Sequence, residues 1–183
     1  MKNNINKDLE AWYSSSLDKL KEKLKNSNPM SIPKIEKIVL NIGLKEAVSN
    51  SKVVTTALNV VTAISGQKAL KTLARKSIAG FKLRDGMPIG VCVTLRGVKM
   101  KAFLSKLINL ALPRVRDFQG IPKKLDGRGN YNLGLKDITV FPEAESAAAD
   151  FNSGLNISFV TTTKNDDLAR ELLLSFGMPF IRK

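Results

Sequence analysis

The stretch KTLARKSIAGFKLRDGMPIGVCVTLRG, residues 71–97, decides how the rest of the chain is read. It carries six cations (Lys71, Arg75, Lys76, Lys82, Arg84, Arg96) against one carboxylate, Asp85, and Gly80, Gly86, Pro88 and Gly90 break any helical run through its middle. A basic segment punctuated in this way belongs on the surface as a mobile loop, since neither its charges nor its interrupted backbone suit a core. Its last part differs. Val91, Val93 and Leu95 alternate with Cys92, Thr94 and Arg96, the period of a half-buried strand with one polar side. A cationic loop anchored by such a strand suggests a surface built for phosphates.

Working outward, two further segments repeat the strand pattern. In residues 34–44, Ile38, Leu40, Ile42 and Leu44 face one way and Lys37, Asn41 and Gly43 the other; in residues 155–162, Leu155, Ile157, Phe159 and Thr161 alternate with Asn156, Ser158 and Thr162. Helices are predicted between them. Residues 5–25 place Leu9, Tyr13, Leu17, Leu20 and Leu24 at three- and four-residue intervals, ending at Asn26, Asn28 and Pro29. Asn50 or Ser51 caps a helix through about Ile64 that Gly66 stops, although its many β-branched residues lower its propensity. Residues 98–112 carry the stripe Phe103, Leu104, Leu107, Ile108 and Ala111 before Pro113, and Asn165 caps a last helix that Gly177 and Pro179 close. Residues 114–134 read as long basic loops. Ile138, Val140 and Phe141 suggest a short strand, and residues 143–150 an acidic, alanine-rich excursion. The expectation is an α+β fold: an antiparallel sheet with helices packed on one face and long basic loops. There is no repeat and no linker, so residues 1–183 are expected to form a single domain with an N-terminal helix (about 5–25) and a basic loop (about 73–89).

The formal charge of +14 is unevenly placed. Residues 66–134 hold fifteen Lys and Arg against three Asp, while the other 114 residues hold fifteen cations and thirteen acids. Such concentration is self-repelling unless a polyanion offsets it, which favours nucleic acid over a merely solvated face. An anionic membrane surface is the remaining rival, weakened because no basic amphipathic helix with a bulky apolar side is present. No apolar run approaches the roughly 18 residues of a membrane span, and the first residues lack the apolar core of a signal peptide. One cysteine, Cys92, forms no internal disulfide, as expected in a reducing cytosol.

Catalytic chemistry finds little support. The chain has no histidine, the commonest general base and metal ligand, and a lone cysteine does not make a zinc site. Gly127, Gly129 and Gly134 lack the dinucleotide spacing, and no segment matches the phosphate-binding loop. Glu143 and Glu145 read as solvated acids. Neither a cofactor nor a metal is expected, and a nucleic-acid-processing enzyme stays an unsupported alternative.

The polar sides of the three strands (Lys37 and Asn41; Thr94 and Arg96; Asn156, Ser158 and Thr162) would make a donor-rich platform, suited to irregular RNA more than to duplex DNA. A solvated sheet face is the plain alternative for each residue. The platform lacks the stacking aromatics of an RRM sheet, and Trp12 and Tyr13, at helical spacing, read as packing residues sooner than as base platforms. Arg114, Arg116, Lys123, Lys124 and Arg128 suit either phosphate contact or loop solvation.

Six segments in order, PKIEKIVLNIG (33–43), ISGQK (64–68), ARKSIAGFKLRDGMPIGVCVTLRG (74–97), PRVRDFQG (113–120), DGRGNYNLG (126–134) and FPE (141–143), resemble the bacterial large-subunit ribosomal protein L-five family over nearly the whole chain. The resemblance implies a noncatalytic, cytoplasmic constituent of the large ribosomal subunit that binds 5S rRNA and helps attach it in the central protuberance. It also implies contacts with large-subunit rRNA, other 5S rRNA-binding ribosomal proteins, P-site tRNA and a small-subunit head protein across an intersubunit bridge. Carried over by motif, the 5S rRNA contacts fall on Asn41, Gln67, Thr94 and Arg96. The tRNA-facing loop falls on Arg75, Lys76, Ser77, Lys82 and Arg84. The chain departs from the family at Lys45, usually glycine, and at residues 146–149.

Overall fold

The computed structural model describes residues 2–24, 28–48, 50–147, 151 and 153–181. In chain order the regular elements are α1 (Lys2–Leu24), β1 (Ile35–Gly43), α2 (Ser51–Ser65), β2 (Leu70–Leu73), β3 (Pro88–Leu95), α3 (Gly97–Lys106), β4 (Tyr131–Leu135), α4 (Pro142–Ala147), β5 (Leu155–Thr161) and α5 (Asp166–Ser175). The strands form one sheet in the order β2-β3-β1-β5-β4. The fold is α+β, an antiparallel sheet with helices packed alongside it. Backbone packing groups the chain into two compact units, one of Met1–Ile38, Arg96–Leu133 and Ser158–Lys183, the other of Val39–Leu95 and Gly134–Ile157.

In the second unit, α2 lies against β3 and α4. Its ends form as the residues dictate. Asn50 Oδ1 accepts the Lys52 N–H at 3.0 Å, and Gly66 takes the left-handed conformation, φ 62°, while its N–H reaches Thr62 O. Burial of Val54, Val60, Val61 and Ile64 offsets the low propensity of the β-branched residues. Along β1, Leu40 and Ile42 are fully buried while Asn41 between them is exposed. This is the dry and wet alternation that the spacing predicts.

Strand β2 is not among the strands expected, and it reaches the start of the expected basic loop (about 73–89) at Leu73. Leu70 to Leu73 pair antiparallel with β3, Leu70 opposite Cys92 and Thr72 opposite Gly90. Beyond the strands the pairing continues: Ala74 N–H to Met87 O at 2.8 Å, Gly86 N–H to Ala74 O at 3.0 Å, and mutual bonds between Ile78 and Leu83 at 3.1 Å. A 3-10 turn, Ala79–Phe81, closes the tip. The basic loop is therefore a hydrogen-bonded hairpin arm.

Three more expectations change in type. Ile138, Val140 and Phe141 form no strand; a 3-10 turn spans Ile138–Val140, and the period near three buries both Ile138 and Phe141. The acidic excursion begins as α4, with Pro142 at the first helical position and Ala144 buried, while residues 148–150 lie outside the described residues. The end of the second basic passage (114–134), from Tyr131 on, lies in strand β4, Tyr131–Leu135.

In the first unit, α1 packs on α3 and α5. Tyr13 stacks on Phe176 with ring centroids 4.8 Å apart, and Trp12 lies 5.5 Å from the same ring. The two aromatics serve packing, as their spacing predicts. The predicted end of this helix at Asn26 lies outside the described residues. The helix expected to run through Leu112 stays helical to that residue, as α3 to Lys106 and then as a π turn over Leu107–Ala111, before a 3-10 turn over Leu112–Arg114. Pro113 is the physical reason, because it has no N–H for the carbonyl four residues back and its ring crowds that carbonyl.

Candidate nucleic-acid interface

Asn41, Gln67 and Thr94 belong to the second unit, where each is placed by a different element. Asn41 projects from the wet side of β1 and is exposed; Thr94 projects from β3 and is half-buried. Gln67 follows the Gly66 cap. Its backbone is held by Ser65, whose hydroxyl donates to Gln67 O at 2.9 Å and accepts the Gln67 N–H at 3.3 Å. Its side-chain Nε2 donates to Thr94 O at 3.2 Å. The structure thus joins two of the residues singled out in the sequence, and no described residue donates to Gln67 Oε1. Asn156 of β5 is also exposed in this unit.

Arg96 directly follows β3 as the residue before α3 and belongs to the first unit; it is exposed and extended, φ −138° and ψ 163°. Two other platform residues of that unit are partly committed. Lys37 is half-buried and lies 3.9 Å from Glu36, and Thr162 Oγ1 accepts the Lys34 N–H at 3.0 Å.

The hairpin arm of the second unit carries Arg75, Lys76, Ser77, Lys82 and Arg84, all exposed. None of its four cations forms an ion pair with a described residue. Ser77 serves the arm itself, since its hydroxyl accepts the Asp85 N–H at 2.9 Å. Four uncompensated cations on an ordered hairpin present a cluster of positive charge at low ordering cost, the arrangement that engages phosphates well.

The second basic passage lies in the first unit. Arg114, Arg116, Lys123, Lys124 and Arg128 are exposed and free of ion pairs with described residues. Around Arg128 the loop is firmly built. Asp126 Oδ1 accepts the N–H groups of Arg128 and Asn130 at 2.8 and 2.9 Å, and its Oδ2 accepts the Asn130 amide at 2.7 Å. These bonds, the Asn130 side chain foremost, hold the Asp126 carboxyl below its ordinary range. Gly127, Arg128 and Lys164 line a cleft of about 400 Å³. Among the described residues no cluster of three His, Cys, Asp or Glu suited to a metal is present, and no helix is long and apolar enough to cross a membrane.

Comparison with known proteins matches residues 28–84 to the family described as "Ribosomal protein L5" and residues 88–180 to the C-terminal family of the same ribosomal protein. The "Large ribosomal subunit protein uL5" of Desulfotalea psychrophila is 55% identical over 174 residues, 94% of this chain and 97% of that protein. Proteins of the same name from Syntrophomonas wolfei and Geobacter sulfurreducens are 54% and 53% identical, each over 93% of this chain and 97% and 96% of their own length. The chain belongs to the ribosomal protein L5 family.

As a member of the L5 family the chain is an RNA-binding, structural ribosomal protein and not an enzyme. What sequence reasoning missed about the family's surface in this chain is the order of the basic arm. One signal was available. Thr72 and Leu73 on one side and Pro88 and Ile89 on the other flank a segment with glycines inside it, the outline of a long hairpin.

Proposed function

We propose that the chain binds 5S rRNA through the open polar side of β1 and β3 and helps attach it in the central protuberance of the large subunit, in the cytoplasmic ribosome. Asn41, Gln67 and Thr94 supply amide and hydroxyl groups to base edges and ribose hydroxyls, and Arg96, the residue that follows β3 in the chain, supplies a charge for phosphate. The hairpin arm, with Arg75, Lys76, Ser77, Lys82 and Arg84, faces P-site tRNA. Arg114, Arg116, Lys123, Lys124 and Arg128 hold phosphates of 5S or large-subunit rRNA. Other 5S rRNA-binding ribosomal proteins are neighbours, and a small-subunit head protein meets the chain across an intersubunit bridge. Residues 1–183 act in this as one RNA-binding domain. The observation that carries the reading is the exposure of Asn41 between the fully buried Leu40 and Ile42: the strand turns a donor outward on a side that no helix closes over at that residue.

Competition binding between 5S rRNA and an unrelated folded RNA of equal length tests it. A clear preference for 5S rRNA that Asn41→Ala with Thr94→Ala narrows is the expected result. Equal binding of both RNAs by the unsubstituted chain would make it a general RNA chaperone instead.

A further inference from the structure

The hairpin arm is cationic, yet its side chains include some of the most exposed apolar groups of the molecule. Phe81 is 71% exposed, Leu73 56% and Ile78 45%. A large aromatic ring held in water is unfavourable, and a monomeric surface usually avoids it unless a partner covers it. Phe81 ends the 3-10 turn that closes the arm, and the next residue, Lys82, sits in the left-handed region at φ 54°. Glycine would occupy that backbone without strain; here a lysine does, so the residue that follows the ring in the chain carries a charge. The turn is fixed by the Phe81 N–H to Ile78 O at 3.2 Å and the Lys82 N–H to Ala79 O at 3.0 Å. An exposed ring on a hydrogen-bonded tip, with Arg75, Lys76, Lys82 and Arg84 on the same arm against Asp85, fits an occupant that is at once flat, apolar on its face and polyanionic. A nucleobase in a folded RNA meets all three conditions. An apolar protein surface meets only the first two.

We propose that Phe81 is a base-stacking residue: the arm sets its ring on an unstacked base in a loop of a folded RNA while the flanking cations hold the adjacent phosphates. This rests on the reading of the arm as an RNA-facing element and adds to it the group that recognises the base.

The test uses the full chain, an unmodified transfer RNA transcript and a fully paired RNA duplex of similar length. Phe81→Ala is expected to weaken binding to the transcript roughly five- to a hundredfold, with the slope of log affinity against log salt unchanged. Lys76→Ala with Lys82→Ala is expected to lower that slope by about 1.5 to 2. Phe81→Trp in a Trp12→Phe background should bind as the unsubstituted chain and lose indole fluorescence on the transcript but little on the duplex. A Phe81→Leu chain that binds as well as Phe81 would overturn stacking in favour of simple apolar contact. Unchanged binding by Phe81→Ala, with the lysine pair still lowering the slope, would overturn the inference and leave the arm's RNA role standing. Normal RNA binding with failed docking onto ribosomal subunits would assign the ring to a protein surface. No effect from either the ring or the lysines, or no binding at low salt, would overturn both readings. Phe81 is exposed, so an unchanged thermal midpoint is expected for each change at Phe81, measured against the unsubstituted chain or, for Phe81→Trp, against Trp12→Phe alone, and confirms that the fold is intact.

Discussion

The backbone N–H of Gly129 donates to Oδ1 of Asp166 at 2.7 Å, and the same carboxylate takes the Gly127 N–H on its other oxygen at 3.0 Å. Gly127 and Gly129 both have positive φ, 80° and 78°, but their surroundings differ. A Cβ on Gly129 would lie 2.1 Å from Thr163 O, whereas nothing lies within 4 Å of one on Gly127. Gly129→Ala should therefore destabilise the chain by at least ~2 kcal/mol in urea unfolding, and Gly127→Ala by only about 1 kcal/mol of left-handed strain.

The Asp126 carboxyl, held low by Asn130, gives the same loop an acid dependence. A carboxyl depressed in the folded state stabilises above its unfolded pKa, and that contribution is lost as pH falls through the folded value. Stability should decline on the acid side, below about pH 4. Asp126→Asn should remove part of that decline, as read from urea midpoints across the acid range.

Gly90 of β3 is closely approached by both β1 and β2. A Cβ there would lie 2.6 Å from Ile42 O and 2.8 Å from Thr72 Oγ1. Gly90→Ala should cost roughly 1–3 kcal/mol through overpacking. Because Ile42 adjoins Asn41, preference for 5S rRNA should fall with it, which competition binding on the folded fraction would show.

Burial raises both tyrosines of the chain, Tyr131 to about 12, and its hydroxyl donates to Pro122 O at 2.9 Å. A raised folded value stabilises fully below the ordinary value near 10 and is lost as pH rises through about 12. Absorbance titration should show little tyrosinate from Tyr131 at pH 10. Tyr131→Phe should flatten the alkaline limb of the stability curve and cost about 1–3 kcal/mol at neutral pH, because Pro122 O loses its donor.

Phe176 anchors α1 through Trp12 and Tyr13, with Lys101 Nζ 4.9 Å from the centre of the Tyr13 ring. A helix this polar depends on packing more than on propensity. Phe176→Ala should cost about 3–5 kcal/mol and shift Trp12 emission to the red.

The elements legible in the sequence were those whose burial alternates or whose ends are capped by side chains. β5, and β1 from Ile38 onward, announce themselves by alternation, and α2 and α5 by Asn50, Gly66 and Asn165. β2 was hidden for the opposite reason: both its leucines are largely exposed, so its four residues carry no dry side. β4 does alternate, burying Tyr131, Leu133 and Leu135, but the glycines around it suggested loop. In α4 a Pro start followed by Glu and Ala is a helix signal that the acidic composition obscured. Of the interface, the outward aim of Asn41 followed from strand period alone, whereas the Gln67 to Thr94 bond joins residues 27 apart in sequence, a pairing no local pattern encodes.

The ladder between β2 and β3 slips by one residue after Thr72, so that Leu73 stands opposite Pro88. Proline offers no N–H to the ladder, and an extra residue at such a point bends and twists the ribbon beyond it. The direction in which the ring of Phe81 and its neighbouring lysines point is thus set by a count of residues as much as by their identity. Deleting Ile89 would keep every charge on the arm and turn its working end elsewhere.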